Sequence, residues 1–297
     1  MKKPLRTSVL ILLFICFIAI GCMEQQEESK DNLPAKENTA QIFAYDLNNP
    51  KDKVLLYEKL QSDVTEKKTY VFTETRVFGV RPDKTESLNE FGKELFRYSS
   101  CEIKIKRVLE DGNIEGKSKI ARIYQDPVTN KYIEKIKNPY HLDTLSLPIY
   151  ISKPNGGIMT PNGPVTGFTM QIESTAIGKP LNFVITELEE QFCLTRHSFT
   201  KWYSKKNNSW RTRMGMDTYY FDKKYMMDRS FSYIPSIHTK MSQDNWIPQL
   251  NLANARGHMT YTSIVRRYFS KDKMPKDFVS IIETQEPNFF DAIISWN

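Results

Sequence analysis

Residues 101–124, CEIKIKRVLEDGNIEGKSKIARIY, decide the fold. Cys101, Ile103 and Ile105 alternate with Glu102, Lys104 and Lys106, which predicts a strand with one buried and one wet face. Asp111-Gly112-Asn113 then supplies the residues of a tight hairpin turn, and a returning strand is expected over Lys119 to Tyr124. The same punctuation recurs in both directions. Upstream, Tyr70 to Val80 is rich in β-branched and aromatic residues and stops at Arg81-Pro82-Asp83. Downstream, strands are expected at Tyr132 to Ile136, Ser146 to Ile151, Val165 to Ile172, Leu181 to Leu188, Gln191 to Thr200, Trp210 to Phe221 and Gly257 to Phe269. Between them, Lys153-Pro154-Asn155-Gly156-Gly157 and Pro161-Asn162-Gly163-Pro164 read as one long loop.

Helical spacing occurs only near the two ends of this region. Leu56, Leu60 and Val64 recur every four residues within Tyr45 to Val64, with Asn48 or Asn49 as cap and Pro50 in the first turn. Met274-Pro275-Lys276 opens a second short helix that runs to about Thr284. The expected fold over 41–297 is therefore mainly β, α+β by content. It would be a single antiparallel β-barrel or strongly curved sheet with a short helix near each end. The alternating charges of Glu102, Lys104 and Lys106 exclude a lipid-facing barrel wall.

The N-terminus has a different character. Lys2, Lys3 and Arg6 precede an uncharged apolar run from Val9 to Ala19, too short for a spanning helix, and residues 1–21 read as an export signal. Ala19-Ile20-Gly21-Cys22 resembles the relaxed lipobox of bacterial lipoproteins, with Ala19 where leucine is usual. That resemblance implies acylation of Cys22 and anchoring to the lipid bilayer of the cell envelope, on the outer rather than the inner membrane in a Gram-negative cell. A plain secretory signal is the alternative. Residues 22–40 carry five acids against Lys30 and Lys36 and no aromatic residue, as expected of a disordered tether.

The whole chain has 42 Lys+Arg against 35 Asp+Glu, with 40% hydrophobic residues and a mean hydropathy of −0.51. Such a balance excludes a multi-span membrane protein, a disordered polymer and a disulfide-dense miniprotein. From Gln41 onward the balance is 37 to 30, again +7. The excess suits a solvated surface or an anionic membrane; no RNA-binding or helix-turn-helix pattern points to nucleic acid. Once Cys16 leaves with the signal and Cys22 is lipidated, Cys101 and Cys193 remain. They can form a disulfide or stay as two free thiols on separate strands, and the sequence leaves both open.

Several segments together carry a family resemblance. They are Phe78-Gly79-Val80-Arg81-Pro82, Leu88 to Arg97, Tyr124-Gln125-Asp126-Pro127-Val128-Thr129 followed by Asn138-Pro139-Tyr140, Trp202 and Trp210, Arg213-Met214-Gly215-Met216, and Met259-Thr260-Tyr261. In this order they resemble the DUF1838 family of exported proteins, over roughly Tyr45 to Pro287. Asn130 replaces a common glycine, and Lys137 stands where a tryptophan often precedes the Asn-Pro. The resemblance implies one exported domain and transfers no catalytic residue.

The densest polar and aromatic stretch is Arg196 to Tyr220. Arg196, His197, Trp202, Trp210, Arg213, Tyr219 and Tyr220 lie on two consecutive expected strands, so inward members can converge on a pocket. Arg213 between aromatic rings suits a carboxylate or phosphate, and His197 or His258 can move a proton near neutral pH. The bland alternative makes them satisfied interior arginines and core aromatics. Met214, Met216, Met226 and Met227 read as core filling or as an adaptable apolar wall. Asp126-Pro127 and Asn138-Pro139 read as turn chemistry.

No nucleophile elbow, phosphate loop, dinucleotide fingerprint or H-E-x-x-H is present, so no cofactor is expected. The four histidines are too scattered to predict a metal site. The leading expectation is a lipoprotein whose β domain holds a small, partly apolar ligand in its interior. The alternatives are an enzyme using histidine and tyrosine acid-base chemistry on a lipid or secondary metabolite, and a surface adhesion protein.

Overall fold

The computed structural model describes residues 43–81, 92–138, 140–141, 143–165, 172–174, 179–204, 209–247, 250, 252, 256–291 and 296. The signal at 1–21, Cys22 and the tether at 22–40 lie outside the described residues.

The N-terminal helix α1 spans Pro50–Gln61, with the Asn49 side chain accepting from the Lys51 amide (2.9 Å) and Pro50 in the first turn, as its sequence predicts. The first three strands, β1 (Thr69–Val80), β2 (Lys93–Val108) and β3 (Ile114–Gln125), form a meander. Short strands follow: β4 (Tyr132–Ile133), β5 (Lys135–Lys137), β6 (Thr144–Ser146), β7 (Tyr150–Ile151), β8 (Asn155–Thr160), β9 (Gly163–Val165), β10 (Ile172–Ser174) and β11 (Val184–Glu187). Then come the long β12 (Gln191–Ser204) and β13 (Ser209–Asp222), the single turn α2 (Lys224–Met227), β14 (Ile237–Asp244), β15 (His258–Tyr268) and the C-terminal helix α3 (Lys276–Gln285).

Nearly all strands join one antiparallel sheet of order β10-β12-β13-β14-β15-β1-β2-β3-β8-β9, with β11 on β12 and β4 and β7 on β3; β5 and β6 pair separately. Three expectations change. The strand expected over Ser146 to Ile151 is split between the end of β6, paired with β5, and β7, paired with β3. The glycine-rich segment is not a loop but the hairpin β8–β9, and its glycines serve close approach: a Cβ on Gly156 would stand 3.0 Å from the Gly116 carbonyl oxygen. β14 was not expected, because Ile237 to Asp244 alternates polar with polar as often as with apolar residues.

Cross-strand partners share a face, so the register divides the sheet into two sides. One side of β1–β3, with Phe72, Cys101, Ile103, Ala121 and Ile123, packs on Phe278 and Ile282 of α3 and on Phe289 and Phe290. The opposite side meets α1 at two places. Leu56, Tyr57 and Leu60 contact Ile114 of β3 on one flank and Leu194, Tyr219 and Phe221 of β12 and β13 on the other. A third cluster on this α1 side joins Val77, Phe96 and Met259 to Leu145, Leu147, Trp246 and Leu250. With these three clusters Phe43–Asn297 forms a compact unit.

Cys101 and Cys193 are free thiols. Five strand intervals separate β2 from β12, about 24 Å along the sheet against a Cα separation limit of about 7 Å for a disulfide. Cys101 is also sealed under α3, where burial pushes its thiol well above the usual range.

Candidate functional site

The β2 face expected to be wet is the one turned toward α1. Lys106 is 7% exposed and pairs with Glu58 of α1, itself 5% exposed. Burial pulls the Lys106 ammonium below its ordinary value, while Glu58 pushes it back up. One interval along, Lys104 pairs with Glu102 at 3.0 Å. Burial raises the Glu102 carboxyl, but Lys104, with Ser118 and Lys106, more than reverses this and holds it below the usual carboxylate range.

Glu58, Lys104 and Lys106 line a cavity of about 290 Å³ beside α1. Tyr57, Glu58 and Gln61 come from the helix, Lys104 and Lys106 from β2, and Arg196 from β12. Ile114, Ile158, Met159, Pro164 and Val165 supply an apolar wall, and Gly116, Gly156 and Gly157 leave backbone uncovered. The Arg196 Nη1 donates to the Tyr57 hydroxyl (2.8 Å), with the guanidinium 5.0 Å from that ring's centre.

A buried relay of polar groups stands behind this wall. Gln61 donates to the Tyr219 hydroxyl (3.0 Å), and the Tyr219 ring stacks on His238 with centroids 4.0 Å apart. Arg267 Nη2 lies 2.8 Å from His238 Nδ1, and His238 Nε2 lies 3.1 Å from Asp217 Oδ1. Arginine can only donate, so Nδ1 accepts and Nε2 carries the proton given to Asp217. Burial lowers the His238 pKa to about 4, against the Asp217 hydrogen bond, so the ring is neutral at neutral pH. Asp217 is raised by burial but held at about 2 by His238 and Lys240.

The family model described as "Protein of unknown function (DUF1838)" matches residues 66–297. The chain belongs to the DUF1838 family. Neither the curated proteins nor the solved structures contain a match to it.

Within this DUF1838 domain the eight residues singled out from sequence are divided. Arg196, Trp202, Arg213 and Tyr219 fall on the α1 side, and His197, Trp210 and Tyr220 on the opposite side, one register step away. Of the four on the α1 side, Arg196 lines the cavity and Tyr219 backs it. Arg213 is taken up by Asp244, to which both Nε (3.2 Å) and Nη2 (2.7 Å) donate, with the Trp202 ring 5.8 Å away. His258 opens β15 opposite Val80, at the far end of the sheet from α1.

Of the four methionines singled out from sequence, Met226 fills a core, Met214 and Met227 are exposed, and Met216 lies on the side away from α1. The family segment at Tyr124–Thr129 works as a turn: Asp126 Oδ1 accepts from the amides of Val128 (2.9 Å) and Thr129 (2.7 Å). Asn138 Oδ1 likewise accepts from the Tyr140 amide (3.0 Å), and the Tyr140 ring packs on Trp246.

Sequence reasoning missed Glu58, Lys104, Lys106, Asp217 and His238. Two signals for them exist. Asp217 precedes Tyr219 by two residues and therefore shares its face of the strand. Glu58 follows Val54 by four residues and so lies over the apolar face of α1, a helix that also buries Asp52 and Lys59. Among the described residues no group of three or more His, Cys, Asp or Glu side chains is placed to hold a metal ion, and no helix is long and apolar enough to cross a membrane.

Proposed function

We propose that the chain is an exported, envelope-anchored lipoprotein, acylated at Cys22, whose domain binds a small, partly apolar molecule bearing one anionic group. The sheet acts as a strongly curved, incompletely closed barrel around α1. What supports this curvature is that Arg196 from β12 and Gly156 and Val165 from β8 and β9, near opposite ends of the strand order, line the same cavity.

The observation that carries the binding reading is the composition of that cavity. Lys104, Lys106 and Arg196 face one lining carboxylate, Glu58, and Glu102 behind it, so one positive charge remains beside an apolar wall. A carboxylate or phosphate would meet that charge while the rest of the ligand lies on Ile114, Ile158 and Met159. Among the described residues no histidine lines the cavity, so the acid-base reading has no proton carrier among them there.

Native mass spectrometry of the Phe43–Asn297 unit, purified from its own host, should reveal a co-purifying mass that disappears in Arg196→Met while the far-UV circular dichroism is kept. A bare mass for the parent domain would sink the binding reading. Independently, the tryptic N-terminal peptide of the full chain should carry acylated Cys22. An unmodified peptide beginning elsewhere would overturn the anchor.

A further inference from the structure

Among the described residues, α3 covers the side of the sheet away from α1 over β1–β3 and the Tyr268 end of β15. Beyond that cover it sinks into a trough of about 680 Å³ that crosses β13, β14, β15, β1 and β2, more than twice the volume of the cavity beside α1. Register builds its floor in rows: Thr218, Thr239 and Ile264 lie side by side, then Met216, Met241 and Thr262. Met241 is 43% and Ile264 50% exposed, so apolar side chains on a paired sheet stand uncovered.

Paired arginines gather at one end of the trough, while Lys240 on β14 is drawn to Asp217. Arg76 and Arg97 both bind Glu94, and Arg97 also reaches Asn130 across the end wall. Hydrogen bonds from Arg76, with Arg97 beside it, hold the Glu94 carboxyl down at about 2, so this end carries two guanidinium groups against one carboxylate. Glu74, also on the lining, is neutralised by Arg266.

The occupant follows from three constraints. Every strand of the floor is paired on both sides, so no free backbone edge invites an added peptide strand. The floor crosses five strands, about 19 Å, and sinks into a cavity of about 680 Å³, which suits a flexible chain better than a flat protein surface. Methionine and isoleucine on the floor with paired arginines at one end complement an apolar chain with an anionic head.

We infer that this trough binds the acyl chain of a single-chain anionic lipid, head group toward Arg76 and Arg97. The site is separate from the cavity beside α1 and does not depend on the function proposed for it.

Titration of the Phe43–Asn297 unit with dansyl-undecanoic acid tests this. The parent domain should enhance the dansyl fluorescence, and dodecanoate should displace the probe at least about tenfold better than dodecyltrimethylammonium. Met241→Asp and Ile264→Asp, both at half-exposed positions, should each weaken binding about tenfold or more with the melting temperature retained. Lys224→Gln, a loss of one cation on the exposed turn α2 away from both cavities, should leave the affinity unchanged.

Unaltered binding in both aspartate variants would overturn the assignment, as would loss of binding in Lys224→Gln or equal competition by the cationic detergent. Sedimentation of the parent as a dimer that Met241→Asp dissociates would also overturn it, by making the trough a subunit interface.

Discussion

Replacing Lys106 with methionine is expected to destabilise the folded domain by about 3–5 kcal/mol, the usual cost of stranding one member of a buried ion pair. For a domain of this size that is a fall in Tm of roughly 10 °C. The cause is Glu58, which the substitution leaves on a buried stretch of α1 with its cation removed. Removing both charges should behave differently. The double variant Glu58→Leu, Lys106→Met exchanges a desolvated pair for apolar surface and should lie within about 1 kcal/mol of the parent. Urea unfolding of the four proteins of this cycle measures the coupling directly. A single Lys106→Met variant as stable as the parent would mean that water reaches Glu58 and that the cavity is more open than its lining indicates.

Acidification from pH 7 to pH 4 is expected to cost about 3 kcal/mol of stability through His238 alone. Its folded pKa, about 4, lies below the ordinary value of 6.5. The unfolded chain therefore binds a proton between those limits while the folded one does not, and stability rises with pH across the window. The contribution is complete above pH 6.5, declines as the pH falls toward 4, and is constant below that. Asp217 acts in the next window: its folded pKa of about 2 lies below 3.8, so it contributes stability that is lost as the pH falls from about 4 to 2. His238→Gln, which cannot titrate, should flatten the slope between pH 6.5 and 4 and, because His238 also holds the Asp217 carboxyl down, should reduce the slope below pH 4 as well. Parallel curves for parent and variant in the upper window would assign the acid sensitivity elsewhere.

Much of the architecture was legible wherever one periodicity operated alone. The alternation of Cys101 to Lys106, the Asn49-Pro50 helix start and the Pro275-Lys276 start of α3 are local signals, and each marks an observed element. The meaning of a face was not legible. Glu102, Lys104 and Lys106 look solvated in a strand read by itself, and become interior only because α1, about fifty residues upstream, brings Glu58 against them. The candidate site shows the same limit. Arg196 and Tyr219 were within reach because they lie in one aromatic-rich stretch, whereas His238 belongs to a polar strand and meets Asp217 only through the β13–β14 register. Gly156 and Gly157 misled in the opposite sense, since a glycine needed for close strand approach has the same spelling as one needed for a turn.

The pairing of β1 with β15 has a consequence for how the chain acquires its shape. Tyr70 lies opposite Tyr268 and Val80 opposite His258, so the middle of the sheet is a seam between the beginning and the end of the domain. Such contacts close loops of nearly two hundred residues, which slows folding and leaves the first strand waiting for the last. Until Gly257 and the residues after it are available, β1 and β14 each present an unpaired edge at the place where the finished sheet is most continuous. A polypeptide delivered from its N-terminus, on a ribosome or through a membrane pore, must therefore hold both halves of its sheet apart until the last strand arrives. A product truncated before β15 should aggregate through those edges rather than fold as a smaller sheet.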